Sequence, residues 1–389
     1  MSNKPRFVGE KVRVSDAFDL QMGKTPSRKN PEYWRDGNHD WVSIADLGSF
    51  DKYVGKTKER INDLGIAESG IKLAPANTIL MSFKLSLGKT AITVDPVYTN
   101  EAIMAFIDKG VYPVDVNFMY HQCKSKDWTS GTNTAVMGKT LNKKTLGQAL
   151  ITLPSLEAQR EIAAKLDFVT EQISQAETQI EKLDQLVKSR FVEMFGDSKF
   201  GLIPLEECCD FIAGGSTPSM KHEEFYGGNV PFIKSGDVKG DVVMRGAISL
   251  TEAALQKGGA KLIPADSVLV VTRSALLKTR MHTALAPIPV VINQDIKAFH
   301  PKETFTSNYL MSAIREREQD LLHGVRSVNT SSIKTSDLYS LPIPVPPLEL
   351  QQEFADFAAQ VDKSRFVAQQ QIEKLQMLYD SLAQDYFGD

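Results

Sequence analysis

Between Leu156 and Phe195 the chain contains neither proline nor glycine, and its apolar positions fall into two interleaved series. Leu166, Ile173, Ile180, Val187 and Met194 lie seven apart, and Ile162, Val169, Ala176 and Leu183 fill the complementary series. An apolar repeat of seven, held over more than four heptads, predicts one long helix with a single coiled-coil seam. Ser155 after Pro154 predicts the N-cap, Glu157 suits the positive end of the helix dipole, and Gly196 supplies the stop. At the usual rise the helix is about 60 Å long.

The pattern returns near the C-terminus. Phe354, Val361, Ala368, Leu375 and Leu382 form one series, and Ile372, Tyr379 and Tyr386 the other. Arg365 stands where Ile173 stood, and Arg190 breaks the first seam where Leu382 continues the second. A stripe this long needs a partner in water. The simplest arrangement packs the two helices antiparallel within one chain, and pairing of two chains through each seam is the competing one.

The two stretches are copies at a fixed offset of 192 residues. Pro154-Ser155-Leu156-Glu157-Ala158-Gln159-Arg160-Glu161 returns as Pro346-Pro347-Leu348-Glu349-Leu350-Gln351-Gln352-Glu353, and Gln179-Ile180-Glu181-Lys182-Leu183 as Gln371-Ile372-Glu373-Lys374-Leu375. Phe195-Gly196-Asp197 returns as Phe387-Gly388-Asp389. Over 153–197, 18 of 45 positions match without a gap, so the unit was duplicated. The repeat reaches further: Thr25-Pro26-Ser27 matches Thr217-Pro218-Ser219, and Asn100 to Phe106 matches Asn293 to Phe299. Ile79 to Lys84 has its counterpart in Leu269 to Arg273.

Outside the helices, β-branched runs such as Thr78 to Met81 and Ser267 to Val271 alternate with turns at Asn38, Gly48, Gly55, Gly227-Gly228 and Gly258-Gly259. The expected architecture is α+β. Two mixed α/β domains, 1–152 and 198–345, are separated by an antiparallel coiled coil of two long helices, 153–197 and 346–389, with internal pseudo-two-fold symmetry. A length of 389 residues suits two domains better than one core. The pattern predicts no strand order.

Composition narrows the class. No apolar run approaches the roughly 18 to 20 residues that span a bilayer, and Met1-Ser2-Asn3-Lys4-Pro5 lacks a signal-peptide stretch. Cys123, Cys208 and Cys209 offer no CxxC spacing. A reducing cytoplasm is expected, with no membrane partner. The net charge of −3 hides an asymmetry: residues 1–152 carry +5, 153–197 carry −4, 198–345 carry +1 and 346–389 carry −5. Acid sits on the helices and base on the domains, and a basic surface is the sequence-independent part of DNA affinity.

No catalytic motif survives inspection. Gly88-Lys89-Thr90 and Gly138-Lys139-Thr140 end like phosphate loops, but Phe83 and Asn133 stand where the leading glycine belongs. Asp95-Pro96-Val97-Tyr98 lacks the second proline of a methyltransferase signature, and Asp237-Val238-Lys239 has no upstream acid. All read as turns, and six scattered histidines show no ligand spacing. The expectation is a non-catalytic chain with no metal.

Binding chemistry remains. In the first domain Arg28, Lys29, Trp34, Arg35, Lys52, Lys56, Lys58 and Arg60, with Lys84 and Lys89, put cations and an aromatic in polar segments. In the second, Lys221, Lys234, Lys239, Arg245, Arg273, Lys278 and Arg280 occupy corresponding stretches. Polar loops before each helix add Asn133, Arg326 and Asn329. Lys and Arg suit phosphates, and Arg and Asn suit base edges. The coiled-coil seam is expected from Leu166, Val169, Ile173, Ala176, Ile180, Leu183 and Val187 against Val361, Ala368, Ile372, Leu375, Tyr379 and Leu382.

On the Leu-Pro-x-Leu-Glu-x-Gln-x-Glu stretch at 153–161 and its counterpart at 345–353, the Ile-Glu-Lys-Leu segments, the paired Phe-Gly-Asp and the early Thr-Pro-Ser, the chain resembles the specificity (S) subunit of a type I restriction–modification system over essentially its whole length. The resemblance implies target-recognition domain, conserved helix, target-recognition domain, conserved helix. It implies double-stranded DNA as ligand, two S-adenosylmethionine-dependent adenine methyltransferase (M) subunits as partners, and a translocase and endonuclease (R) subunit using ATP and Mg. No cofactor would bind this chain itself. Each domain would read half of a split target, with the helix pair setting the unread gap. A scaffold whose duplicated domains bind protein is the alternative, and it predicts no salt-dependent DNA affinity.

Overall fold

The computed structural model describes residues 9–84, 86–128, 141–196, 200–278, 280–322 and 332–388. Among them, four helices have ten residues or more: α1 (Val116–Ser125), α2 (Leu156–Phe195), α3 (Ser307–Glu316) and α4 (Leu348–Phe387). Ser155 Oγ accepts from the Ala158 N–H at 3.3 Å at the start of α2, and the Gly196 N–H returns to the Val192 carbonyl at its end. The chain divides into two compact units, Met1–Glu177 with Gln369–Asp389, and Thr178–Ala368. Each long helix is therefore shared, its halves belonging to different units.

In the first unit, β1 (Glu10–Arg13) pairs antiparallel with β9 (Leu150–Leu153), the strand that leads into α2. A four-stranded antiparallel sheet runs β2 (Phe18–Met22), β8 (Ile103–Asp108), β5 (Ile79–Ser82), β6 (Thr90–Ile92). A smaller sheet places β3 (His39–Val42) between antiparallel β4 (Glu59–Ile61) and parallel β7 (Tyr98–Thr99). Side-chain alternation sorts the layers. Ile79, Met81, Met104 and Phe106 share a core with α1 and with Ile162, Leu166 and Val169 of α2. Leu80, Ile103 and Ala105 face Val42, Leu47 and Val97 instead. Covered on both sides, β5 is buried at all four positions. The outer face of the small sheet carries Trp41, Ile61 and Tyr98, against which Trp34 packs.

The second unit repeats this order. β10 (Leu202–Pro204) pairs with β19 (Pro342–Pro344) ahead of α4. The large sheet runs β11 (Cys209–Gly214), β18 (Ile296–Pro301), β15 (Ser267–Val271), β16 (Thr283–Ala286). The small sheet runs β13 (Ile248–Leu250), β12 (Tyr226–Ile233), β17 (Val290–Ile292), β14 (Leu262–Ile263). Val268 and Val270 face the helices while Leu269 and Val271 face the small sheet. Gly227-Gly228, read as a turn, lies inside β12, where the pairing with β13 slips and Gly227 takes φ +83°. The bulge meets the need for glycine that the sequence had suggested a loop would meet.

The start of α2 shares the first unit's core with Tyr379, Ala383 and Phe387 from the end of α4. The end of α2, at Val187, Phe191 and Phe195, shares the second unit's core with Phe354 from the start of α4. That exchange of ends is what an antiparallel pair requires. Leu166, Val169, Ala176, Val361, Ala368 and Tyr379 are buried; Ile173, Ile180, Leu183, Val187, Ile372, Leu375 and Leu382 are half-buried. The seam arginines are not gaps. Arg190 reaches Glu353 on α4 at 2.8 Å and Glu193 at 3.0 Å, and Arg365 reaches Asp184 on α2 at 2.6 Å.

The glutamine of the repeated stretch has one job in both units. Gln159 and Gln351 are fully buried. Gln159 Oε1 accepts from the Asp115 N–H at 2.8 Å at the N-cap of α1, and its Nε2 donates to the carbonyls of Pro113 and Pro154, both at 2.9 Å. Gln351 repeats this on α3 with the Thr306 N–H at 2.8 Å and the carbonyls of Thr304 and Pro346 at 3.0 Å. Each long helix is thus tied to the short helix of its own unit.

Candidate nucleic-acid interface

The segment that leaves the large sheet after β2 and β11 is aimed by a repeated motif. A Cβ on Gly23 would lie 2.2 Å from the Thr99 carbonyl oxygen, and one on Gly215 would lie 2.2 Å from those of Asn293 and Ile292. Only glycine allows this approach. The Thr25 hydroxyl then donates to the Glu101 carboxylate, and the Thr217 hydroxyl to Gln294 Oε1 at 2.6 Å. Thr-Pro-Ser thus anchors a segment that leads to the face of the small sheet opposite the one packed on the large sheet, where Trp34 and Phe225 lie.

In the first unit that layer gathers several of the expected residues. The Arg28 guanidinium lies 3.9 Å from the centre of the Trp34 ring and 5.1 Å from that of Trp41, whose indole N–H donates to the Lys24 carbonyl. Arg28 Nη2 donates to Glu59 Oε2 at 2.7 Å in a two-point ion pair. That hydrogen bond raises the Arg28 pKa and holds Glu59 below the usual carboxylate range. Arg60 pairs with Asp40 at 3.1 Å and donates to the Asn38 carbonyl, Arg35 pairs with Glu32 at 2.8 Å, and His39 meets Asp63 at 2.7 Å. Lys29, Lys56 and Lys58 are exposed, with no carboxylate at ion-pair distance among the described residues.

Lys84 and Lys89 belong elsewhere. They flank the β5–β6 turn, both half-buried, with the Lys84 ammonium 5.2 Å from the Phe83 ring and Lys89 lying against Gly48. Lys52 points inward to α2 and bonds Asp167.

In the second unit Lys221 lies on the crossing segment, and Lys234, Lys239 and Arg245 lie between β12 and β13. Lys221, Lys239, Arg245 and Arg280 are exposed and unpaired among the described residues. Lys234 is half-buried beside Phe232, and Arg273, exposed, sits 4.0 Å from Asp295. Lys278 closes a short 3-10 turn, Ala275–Lys278. Asn133, Arg326, Asn329 and the Gly138-Lys139-Thr140 turn lie outside the described residues.

The arrangement suits a polyanion: one guanidinium, that of Arg28, held over two indoles, with exposed lysines and backbone turns around it. Gly88 (φ +84°) sits in a hairpin turn, and the Asp237 carboxylate is spent on the Lys234 N–H at 2.9 Å. No cluster of three metal-ligating side chains occurs among the described residues, and no helix is long and apolar enough to cross a membrane. Glu59, Asp40 and Glu32 are the residues sequence reasoning missed here. Exposed ion pairs of this kind contribute little to stability.

Among curated proteins, the chain is 24% identical over 400 residues to the type I restriction enzyme MjaIX specificity subunit of Methanocaldococcus jannaschii, covering 95% of this chain and 90% of that protein. It is 34% identical over 152 residues to the EcoR124I/EcoR124II specificity subunit of Escherichia coli, 38% of each chain. A solved chain from work on complex assembly and conformational transition of the type I R-M system superposes with TM-score 0.60 at 19% identity, covering 99% of both chains. The type I restriction–modification S subunit from M. genitalium gives 0.54 at 14%, covering 100% of this chain and 98% of that one. The family described as type I restriction modification DNA specificity domain matches residues 9–185 and again 198–377. With that domain twice in tandem, over the units that carry the two crossing segments, this chain belongs to the type I restriction–modification DNA specificity family.

Proposed function

We propose that this chain, as the non-catalytic specificity subunit of a type I restriction–modification complex, reads an asymmetric split DNA target. One half-site falls to each recognition domain, 1–152 and 198–345. The observation that carries this reading is the repetition of one crossing segment over one small sheet, with different side chains in the two copies: Arg28, Lys29, Trp34 and Arg35 in one, Lys221 and His222 in the other. One fold with two surfaces reads two sequences.

Arg28, Lys29, Arg35, Lys56, Lys58 and Arg60 serve the first half-site, and Lys221, Lys239, Arg245, Arg273 and Arg280 the second. Two-fold DNA binders place half-sites about one helical turn apart, and the paired helices, 153–197 and 346–389, set that gap. Two methyltransferase subunits dock on the acidic outer faces of these helices. There Phe168, Phe366 and Val367 are exposed, and a groove of about 500 Å³ beside Phe168 is lined by Glu161, Ala164, Lys165, Val169 and Leu382. S-adenosylmethionine serves those partners, and ATP and Mg the translocase and endonuclease subunit. The site of action is the cytoplasm.

The test maps N6-methyladenine across the genome of cells expressing the chain with its methyltransferase, against cells lacking the chain. A split, non-palindromic motif that depends on the chain is expected; a palindromic motif, or none, overturns the reading. One heptad added at matching points of both helices lengthens the gap and leaves both half-sites unchanged.

A further inference from the structure

Arg28 reaches the face of the small sheet already paired, and the pair is built on a single tryptophan. β3 and β4 set Trp41 directly opposite Glu59, so both side chains leave the same face. The rings of Trp34 and Trp41 meet edge to face, with centres 5.1 Å apart and planes at 86°. The Arg28 guanidinium lies against both rings, and its terminal nitrogens, Nη1 and Nη2, bond the two oxygens of Glu59. An arginine carries five N–H groups in one plane. The ion pair takes two of them, and Arg28 makes no other hydrogen bond among the described residues. Its Nε edge is therefore held in a fixed plane with donors to give, on a side chain that is 50% exposed.

The second unit holds no such pair in that place. Thr-Pro-Ser is followed by Arg28 in one copy and by Met220 in the other. Phe232 pairs in parallel with Val291 as Trp41 pairs with Tyr98, and Ile248 stands across from Phe232 where Glu59 stands across from Trp41. Met220, Phe232 and Ile248 thus occupy the places of Arg28, Trp41 and Glu59.

We propose that Glu59 is a specificity-determining residue for the first half-site: it screens Arg28 from phosphates and leaves the free N–H edge to read a guanine. This rests on the reading of the chain as a DNA-specificity subunit. A phosphate would meet a cation whose charge a carboxylate already balances at hydrogen-bond distance, and the two anions would repel. To take Arg28 from Glu59 it would exchange one charge-assisted two-point bond for another of the same kind. A base edge carries no net charge, so Glu59 does not repel it. Guanine offers two neighbouring acceptors in the major groove, N7 and O6, which arginine binds through two N–H groups. Adenine puts an amino group in place of O6, and a second N–H group finds no acceptor there. The ion pair thus lowers affinity for DNA at large and spares the correct base, and discrimination is that difference.

The experiment uses the chain assembled with its methyltransferase subunits. It measures affinity across a salt series for DNA bearing the mapped motif, for the same DNA with each half-site base pair changed in turn, and for motif-free DNA. Glu59→Gln should tighten motif-free DNA about fivefold and the motif about twofold, so the ratio of the two affinities falls. The salt slope of log K on motif-free DNA should steepen by about 0.9, as for one further phosphate contact. The native complex should lose about tenfold when one G·C pair of the first half-site is changed, and Arg28→Ala should abolish that preference with the salt slope on the motif unaltered. Both variants should read the other half-site as before. Equal tightening on the two DNAs by Glu59→Gln, or weaker binding to either, overturns the proposal. So does a first half-site without a G·C pair, or an Arg28→Ala complex that keeps its preference for every such pair. A native complex that binds motif and motif-free DNA equally would refute the specificity reading itself, a failure distinct from these because it needs no variant.

Discussion

Replacing Gln159 with leucine should test how a recognition domain is held to its helix. The side chain is fully buried and satisfies three backbone groups, the Asp115 N–H and the carbonyls of Pro113 and Pro154. Leucine keeps the volume and strands all three. Each of the three orphaned buried groups costs about 1–3 kcal/mol, while added apolar burial returns about 1 kcal/mol, so a net loss of about 3 kcal/mol, near the lower end of that range, is expected. For a unit of this size that lowers the midpoint by roughly 6–12 °C. Calorimetry on the full chain should show the shift, and Gln351→Leu should produce the same fall in the other unit. Additive losses in the double variant follow from the separate units. A shift below about 2 °C for both single variants would mean that the tie is incidental and that the aromatic core alone holds the joint.

Other consequences are open to direct measurement. Arg28→Ala should weaken binding to DNA carrying the mapped motif and, if Arg28 meets a phosphate, reduce the salt slope of log K by about 0.9. Glu59→Gln should strengthen it by removing the competing carboxylate; weaker binding would mean that Glu59 orients Arg28 rather than competing for it. His121 has its pKa lowered, chiefly by burial, against the raising effect of Asp167. The unfolded chain therefore takes up a proton that the folded one refuses, and stability should fall as pH drops below about 6.5, the ordinary histidine value. His121→Gln should flatten unfolding midpoints between pH 7 and 5, and an unchanged slope would remove His121 from the account.

The parts of the fold legible in the sequence were those the duplication had kept. The seam series marked both long helices, and the matched runs at Ile79 and Asn100 proved to be adjacent strands: Leu80 pairs with Ala105 as Leu269 pairs with Ala298. What stayed hidden depends on pairs distant in sequence. Arg28 and Glu59 are 31 residues apart, Arg365 and Asp241 124, and no local pattern couples them. Arg190 and Arg365 therefore read as breaks in a seam when they are charged links across it. Gln159 was visible as an identity and invisible as a tie, because its partners are backbone groups that any residue could supply. Gly227-Gly228 misled for the opposite reason: a glycine pair suits a bulge inside a strand as well as a loop.

The sharing of the helices carries a consequence for how the chain can fold. The first unit takes residues from both ends of the sequence, since Leu375, Tyr379, Leu382, Ala383 and Phe387 pack with Phe118, Leu166 and Val169. Burying a large apolar side chain contributes about 1.5–3 kcal/mol, so Tyr379 and Phe387 with the half-buried Leu375 and Leu382 contribute about 4–9 kcal/mol, comparable to the whole stability of a domain. A chain ending at Ala368 should keep the second unit, whose helix segments are complete, and lose the first. Hydrogen exchange on that truncated chain reads the two separately. Protection should persist at β15 and β18 and vanish at β5 and β8. Full protection at β5 would show that the first recognition domain folds without the end of α4, and the long-range pairing would then be an addition to that domain rather than part of its core.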